Sequence, residues 1–221
     1  MNNKVLEEFY KIISENKIKK YEYIASERTK HITVVMENIQ KNHNASAVLR
    51  TCDCFGIQNL YAIEKSINYK INRDIALGAG NWVDLHSFYE GKSPTQKCLK
   101  KLRTEGYQII GTSPHSKKNI TELNIQKPTA LIFGTEKTGV SKSVINYSDE
   151  LVKIPMYGFT ESFNISVSAA IALNILRTKL NNSNINWRLS EEEQTLLKIK
   201  WCKKILKEGD KIEKEIRSRI K

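Results

Sequence analysis

The chain's 221 residues can bury one sizeable core with appendages and are too few for two full domains of usual size. Lys and Arg total 36 against 24 Asp and Glu, a formal charge of +12 that favours a polyanion as partner, because neutralising phosphates releases condensed counterions. A composition loaded with Lys, Asn and Ile would produce the same surplus without a nucleic-acid role, and no apolar run approaches the ~20 residues of a membrane span.

Residues 1–28 read as one helix, with Leu6, Phe9, Tyr10 and Ile13 at helical spacing and charges on the other face. The segment contains acids and lacks the apolar core and cleavage site of a secretory leader, so a cytoplasmic location is expected. Between residues 32 and 179 short β-rich runs alternate with helical segments. The expected strands are ITVVMEN from Ile32, NLYAIE from Asn59, VDLHSF from Val83, YQIIGTS from Tyr107, TALIFG from Thr129 and ELVKIP from Glu150. Helices are expected over residues 45–55, 94–105 and 165–180. Such alternation implies crossover connections, hence an α/β fold with a mostly parallel sheet covered on both faces by helices. The NNSNIN stretch after Leu180 reads as a linker. From Trp187 to Lys221 the chain is Lys-rich and helical, with Leu189, Ser190 and Glu193 offering a capping-box start. It serves either as a helix packed on the core or as an RNA-contacting arm. The division is then an N-terminal helical extension (1–30), a central domain (31–181) and a C-terminal basic helical extension (182–221).

No GxGxxG opens a helix after the first strand and no GxxxxGK[ST] occurs, which removes the Rossmann phosphate cradle and the P-loop. Cys52, Cys54, Cys98 and Cys202 show neither CxxC pairs nor a His spacing that suits zinc, so reduced thiols and no metal are expected. Three clusters concentrate polar groups at strand ends. NHNASAVLRTCDCFG, residues 42–56, follows the first strand, and the loop at a strand's carboxyl end borders the ligand crevice of a doubly wound sheet, within reach of Asn44 and Arg50. The plain alternatives are an N-cap for Asn44 and a surface position for Arg50. TALIFGTEKTGVS ends an apolar strand in Gly134, Thr135 and Glu136. A carboxylate there can orient a cation or a ligand hydroxyl, and Gly134 and Gly139 admit close backbone approach, unless Glu136 is only an acidic turn residue. In IPMYGFTESFNISVSAAI, residues 154–171, a strand stops at Pro155 and a loop opened by Gly158 brings Glu161, Ser162 and Asn164 to a helix start. The small residues Ser166, Ser168, Ala169 and Ala170 suit tight packing or a subunit contact.

In order and content, NASAVLR, FGTEKTGVS and IPMYGFTESFNISVSAA resemble the three motifs of the SpoU branch of the SPOUT methyltransferases, also called the TrmH family, over about residues 32–180. The resemblance implies the SPOUT (α/β knot) fold with a C-terminal trefoil knot, a homodimer, and methyl transfer from S-adenosyl-L-methionine to a ribose 2′-oxygen of RNA. It implies that backbone groups of the knotted loops hold the cofactor, at Thr112, Gly134, Ile154, Met156 and Phe163. Arg50 would activate the 2′-hydroxyl, as a base or by fixing a phosphate that helps accept the proton, with Asn44 orienting it. Glu136, Ser162 and Asn164 would hold the arginine, the ribose or the neighbouring loop. Phe163 stands where relatives usually carry Leu, and Thr160 and Glu161 where Val-Gln is common. Short basic flanks without a separate amino-terminal RNA-binding domain are similar to the tRNA enzymes that act on a D-loop guanosine, so tRNA is the expected partner. Another tRNA ribose such as the wobble position, ribosomal RNA, or a catalytically silent RNA-binding or assembly protein on the same fold are the alternatives. A nicotinamide-dependent oxidoreductase would suit an α/β core but lacks the fingerprint.

Overall fold

A computed structural model describes residues 1–64, 71–89 and 91–220, in two compact units: residues 30–187, and residues 1–29 together with those from 188 onward.

In the unit that joins both termini, residues 1–28 form two helices instead of the single one expected, α1 (Asn2–Tyr10) and α2 (Glu15–Ser26). The chain turns over residues 11–14, where Ser14 takes the extended conformation of an N-cap. Glu22 of α2 accepts from Tyr10 Oη at 2.6 Å and from Lys198 Nζ at 2.7 Å. The residues 94–105 and the other helical stretches of the second unit are α3 (Asn42–Cys54), α4 (Arg73–Ala76), α5 (Pro94–Thr104), α6 (Lys142–Tyr147) and α7 (Ile165–Asn181). The basic C-terminal segment also splits, into α8 (Glu191–Ile205) and α9 (Gly209–Arg219), while Lys221 lies outside the described residues. The break falls where a Cβ on Gly209 would lie 2.2 Å from the Lys203 carbonyl oxygen, so only glycine permits the approach. The capping box of α8 is present, with Glu193 N–H donating to Ser190 Oγ at 3.2 Å and Ser190 N–H to Glu193 Oε2 at 2.9 Å.

Residues 30–187 form a six-stranded sheet of β1 (Ile32–Glu37), β2 (Asn59–Ile63), β3 (Asp84–Phe88), β4 (Gln108–Thr112), β5 (Thr129–Phe133) and β6 (Glu150–Val152). The strand order is β3-β2-β1-β5-β4-β6 and every pairing is parallel. All residues of β1, β2 and β5 are buried, which is why these strands read as mostly apolar runs without alternation. On one face α3 and α7 bury Val48, Leu49, Leu173 and Leu176 against Val34, Leu60 and Leu131. On the other, Leu99 and Leu102 of α5 and Val144 of α6 cover Val35, Ile109 and Ile132. Each such side chain contributes roughly 1.5–3 kcal/mol relative to exposure, and together they fix the strand ends that carry the site. The stretch after α7 ends in Trp187, which joins the first of these clusters with the Arg177 guanidinium 3.9 Å from its ring centroid.

The chain steps outward from β1 to β3 and then returns to the far side of β1, so the order reverses between β1 and β5. Ligands of open α/β sheets bind beyond the carboxyl ends at such a switch point. Past β6, Lys153 N–H donates to Lys118 O and Lys153 O accepts from Ile120 N–H, both at 2.9 Å. Farther on, Lys179 of α7 donates to the carbonyls of Thr121 and Leu123 at 2.9 and 2.6 Å. Burial, and then the nearby Lys118 ammonium, lower the pKa of Lys179.

Candidate active site

The carboxyl ends of β4, β5 and β6 open on a cavity of about 390 Å³, within the ~300–1,000 Å³ of small-molecule sites. Thr112 Oγ1 donates to the Ile132 carbonyl at 2.8 Å and so ties the end of β4 to β5. One wall is the turn after β5, in which Thr135 and Gly139 exchange backbone hydrogen bonds of 3.1 and 3.0 Å, and Thr138 N–H donates to Thr135 Oγ1 at 3.1 Å. Two glycines permit it: Gly139 has φ +66, and a Cβ on Gly134 would meet the Gly139 carbonyl group at 2.1 Å. Val152, Ile154 and Met156 line the cavity from the β6 side, and Glu161, Ser162 and the half-exposed Phe163 complete it.

A chain of side-chain hydrogen bonds runs beside this cavity. Asn44, 4% exposed, donates through Nδ2 to Glu136 Oε1 at 2.6 Å and accepts through Oδ1 from Asn164 Nδ2 at 3.2 Å. Asn164 Oδ1 accepts from Ser166 N–H at 2.8 Å and from its hydroxyl at 2.7 Å. An ionised carboxylate only accepts, so Glu136 dictates which way the Asn44 amide faces, and Asn44 in turn orients Asn164. The N-cap alternative for Asn44 falls away: α3 starts at Asn42 with Lys41 in the cap position, which puts Asn44 within the first turn. The capping asparagine is Asn164, whose side chain accepts from Ser166 N–H at the start of α7.

The structure brings most of the expected site residues together. Thr112, Gly134, Ile154, Met156 and Phe163 line the cavity, as do Glu136 and Ser162; Asn44 is tied to them through Glu136, and Asn164 through Asn44. Arg50 is elsewhere. It lines a second, more open apolar groove of about 410 Å³ between α3 and α7, with Ala47, Phe55, Val167, Ala170 and Ile171 among its neighbours. Two features escape the sequence reading. His115 lines the cavity just beyond β4, and Glu37, closing β1, accepts hydrogen bonds from Ser141. The signal available for Glu37 was an acid at the carboxyl end of an apolar strand, the same signal that Glu136 carries.

The cavity beyond β4, β5 and β6, walled by the glycine turn and by Thr112, Ile154, Met156 and Phe163 with no glycine-rich phosphate loop, marks an α/β protein of non-Rossmann type. Residues 31–174 match the SpoU rRNA Methylase family, and the chain belongs to it. It is 37% identical over 209 residues to the tRNA (guanosine(18)-2′-O)-methyltransferase of Borreliella burgdorferi, covering 94% of each chain. To the protein of that name from Aquifex aeolicus it is 34% identical over 195 residues, 86% of this chain and 90% of the relative. The crystal structure of the A. aeolicus TrmH/SpoU tRNA modifying enzyme superposes with a TM-score of 0.77 at 31% identity, over 87% of this chain and 98% of that one. The family resemblance and the parallel sheet flanked by helices are thereby borne out.

Proposed function

We propose that the protein transfers a methyl group from S-adenosyl-L-methionine to the ribose 2′-oxygen of a D-loop guanosine in tRNA. The observation that carries this reading is the union of Asn44, Glu136 and Asn164, from three distant motifs, at the edge of a cavity of cofactor size. The names of the B. burgdorferi and A. aeolicus relatives support the guanosine and the tRNA, and a charge of +12 suits a polyanion.

The residues present fit the cofactor. Gly134 and Gly139 expose backbone at the cavity surface, Ile154, Met156 and Phe163 offer apolar contact for an adenine ring, and the Glu136 and Glu161 carboxylates suit a ligand bearing ammonium and sulfonium charge. Thr112, Gly134, Ile154, Met156 and Phe163 would hold it, and when bound it supplies a methyl carbon already activated by the sulfonium. What is left to the chain is to set the ribose oxygen in line and to give its proton a destination. Glu136, held by Asn44, and the neighbouring Ser162 and Asn164 order the ribose. Arg50, whose guanidinium carries donors only, is a poor base and acts by fixing an RNA phosphate that helps accept the proton.

The reading includes a methyltransferase domain over residues 31–181 flanked by helical extensions, and a trefoil knot in which residues 153–164 pass through the loop formed by residues 113–128. The bonds of Lys153 to both Lys118 and Ile120, and those of Lys179 to Thr121 and Leu123, support that threading. It also includes a homodimer through the α3–α7 groove, supported by the exposed Val167 and by Ser166 and Ala170, small enough for close approach of a second copy. Arg50 on this groove then meets the ribose where the copies join. A tRNA partner places the work in the cytoplasm.

Tritiated cofactor incubated with total tRNA and total rRNA, followed by nucleoside mapping, is expected to label a D-loop guanosine. Label confined to rRNA or to the wobble ribose would overturn the substrate. No transfer and no calorimetric cofactor binding would overturn the activity in favour of a silent RNA-binding protein.

A further inference from the structure

We infer that Glu37 is a positioning residue that holds one wall of the cofactor cavity in place; the inference rests on the reading of that cavity as the S-adenosyl-L-methionine site. Glu37 ends β1 on the switch-point side of the sheet and is 2% exposed. Its Oε2 accepts from Ser141 N–H at 2.8 Å, and its Oε1 accepts from Ser141 Oγ at 2.7 Å and from Thr95 Oγ1 at 3.1 Å. A buried carboxylate is costly unless donors converge on it, and bonds to a charged acceptor are the stronger kind. Two of these three donors belong to one residue, at the exit of the turn after β5.

That exit matters to the cavity. Ser141 follows Gly139 and Val140, whose backbone lies so close to Gly134 that a Cβ there would meet it at 2.1 to 2.3 Å. All three line the cavity. The turn is also held at Glu136, by Asn44. Carboxylates thus pin it at two places, Glu136 to the first turn of α3 and Glu37 to the end of β1. Ser141 caps α6 through an acceptor bond from Val144 N–H at 3.3 Å, which leaves its own N–H for Glu37. Loss of the Glu37 bonds therefore frees the turn to move away from Gly134 and widens the cavity where cofactor contact is mostly backbone. Glu37 itself is not among the lining residues, so it acts through Ser141.

Glu37→Gln keeps the shape but presents an amide donor to groups that already donate. Two readouts test the assignment: hydrogen exchange of the cofactor-free protein, and calorimetric binding of S-adenosyl-L-methionine with steady-state methyl transfer. The expected result is exchange over residues 135–141 at least about tenfold faster while β1 and β5 keep their protection. Cofactor affinity should fall at least about tenfold, with KM for RNA within about twofold and kcat at saturating cofactor within about threefold of the unsubstituted protein. Unchanged exchange, unchanged affinity, or equal loss of protection throughout β1 and β5 would overturn it, the last because it marks a general structural role. Should Glu37→Gln fail to fold, Ser141→Ala, which loses the hydroxyl bond to Glu37 and keeps the backbone one, takes its place beside Ser141→Thr, which keeps both. Weaker binding by the alanine variant alone is expected, and two variants that bind alike would overturn the assignment. Unsubstituted protein that binds no cofactor would sink the methyltransferase reading itself, whereas equal binding by it and by Glu37→Gln sinks only the role of Glu37.

Discussion

Gly134→Ala tests the wall of the cavity most directly. The new methyl would sit 2.1 Å from the Gly139 carbonyl group and 2.3 Å from Val140 N, all of it backbone that no side-chain rotation can clear. Non-bonded carbons prefer ~3.5–4.0 Å, so the turn must retreat by about 1.5 Å. A shift of that size breaks the paired Thr135–Gly139 bonds of 3.1 and 3.0 Å. Overpacking of roughly 1–3 kcal/mol together with about 1 kcal/mol for each of the two lost bonds gives a destabilisation of about 3–5 kcal/mol. For a chain of this size that corresponds to a Tm lower by about 6–20 °C. Gly139→Ala is the internal control, because nothing lies within 4 Å of its added methyl and only the φ of +66 is penalised. Its cost should be about 1–2 kcal/mol. Thermal melting followed by circular dichroism, with cofactor titration on each variant, separates the two. If both alanines melt alike, or if Gly134→Ala melts within about 1 °C of the parent, the close backbone contact does not exist and the argument fails.

Arg50→Ala should keep the fold and cofactor binding and lower methyl transfer by about 100-fold or more, the lower end of what proton-handling groups contribute; undiminished single-turnover transfer would remove Arg50 from the mechanism. Asn44→Ala takes away the partner of both Glu136 and Asn164 and should cost about 1–3 kcal/mol in denaturant unfolding, together with a larger loss of transfer than Asn164→Ala gives. Asp149 supplies the pH dependence. Burial opposes its ionisation, but the Arg103 guanidinium and the Ile109 N–H, at 2.7 Å each, outweigh burial and leave its pKa below the ordinary carboxylate value. The stabilisation is complete above the unfolded value of ~3.9 and disappears as pH falls through the folded one. Because both partners are more than a third exposed, Asp149→Asn should cost only about 0.5–1 kcal/mol at pH 7. Melts of the two proteins should converge as pH falls below the folded value, and a gap that widens in acid would reverse the sign of the argument.

The strands were legible because burial on both faces favours mostly apolar runs, and β1, β2 and β5 are such runs, with polar residues chiefly at their ends. The breaks in the terminal helices were not. Ile13 continues the apolar spacing of α1 straight through a turn, so periodicity cannot register that the backbone has left the helix at Lys11. In the C-terminal segment the break sits where Gly209 packs close against the backbone of Lys203, a contact that composition does not encode. The site shows the same divide. Residue types at strand ends marked Glu136, Asn44 and Asn164, yet their mutual bonds depend on the reversal of strand order, while Arg50, six residues beyond Asn44 on α3, lies on a different groove. Glu37 was passed over because a carboxylate inside a strand run reads as its last residue, and its donors lie on α5 and beside α6.

The hydrogen bonds of Asn44 reach 92 positions along the chain to Glu136 and 120 to Asn164. At the ~5–20 residues per second of protein synthesis, about 6–24 s separate the making of Asn44 from that of its last partner. A nascent chain can thus possess β1 and α3 long before the bonds that join Asn44, Glu136 and Asn164 can form. The cluster therefore closes only when the sheet unit is nearly finished, and a chain stopped short of Asn164 lacks it however well β1 and α3 have formed.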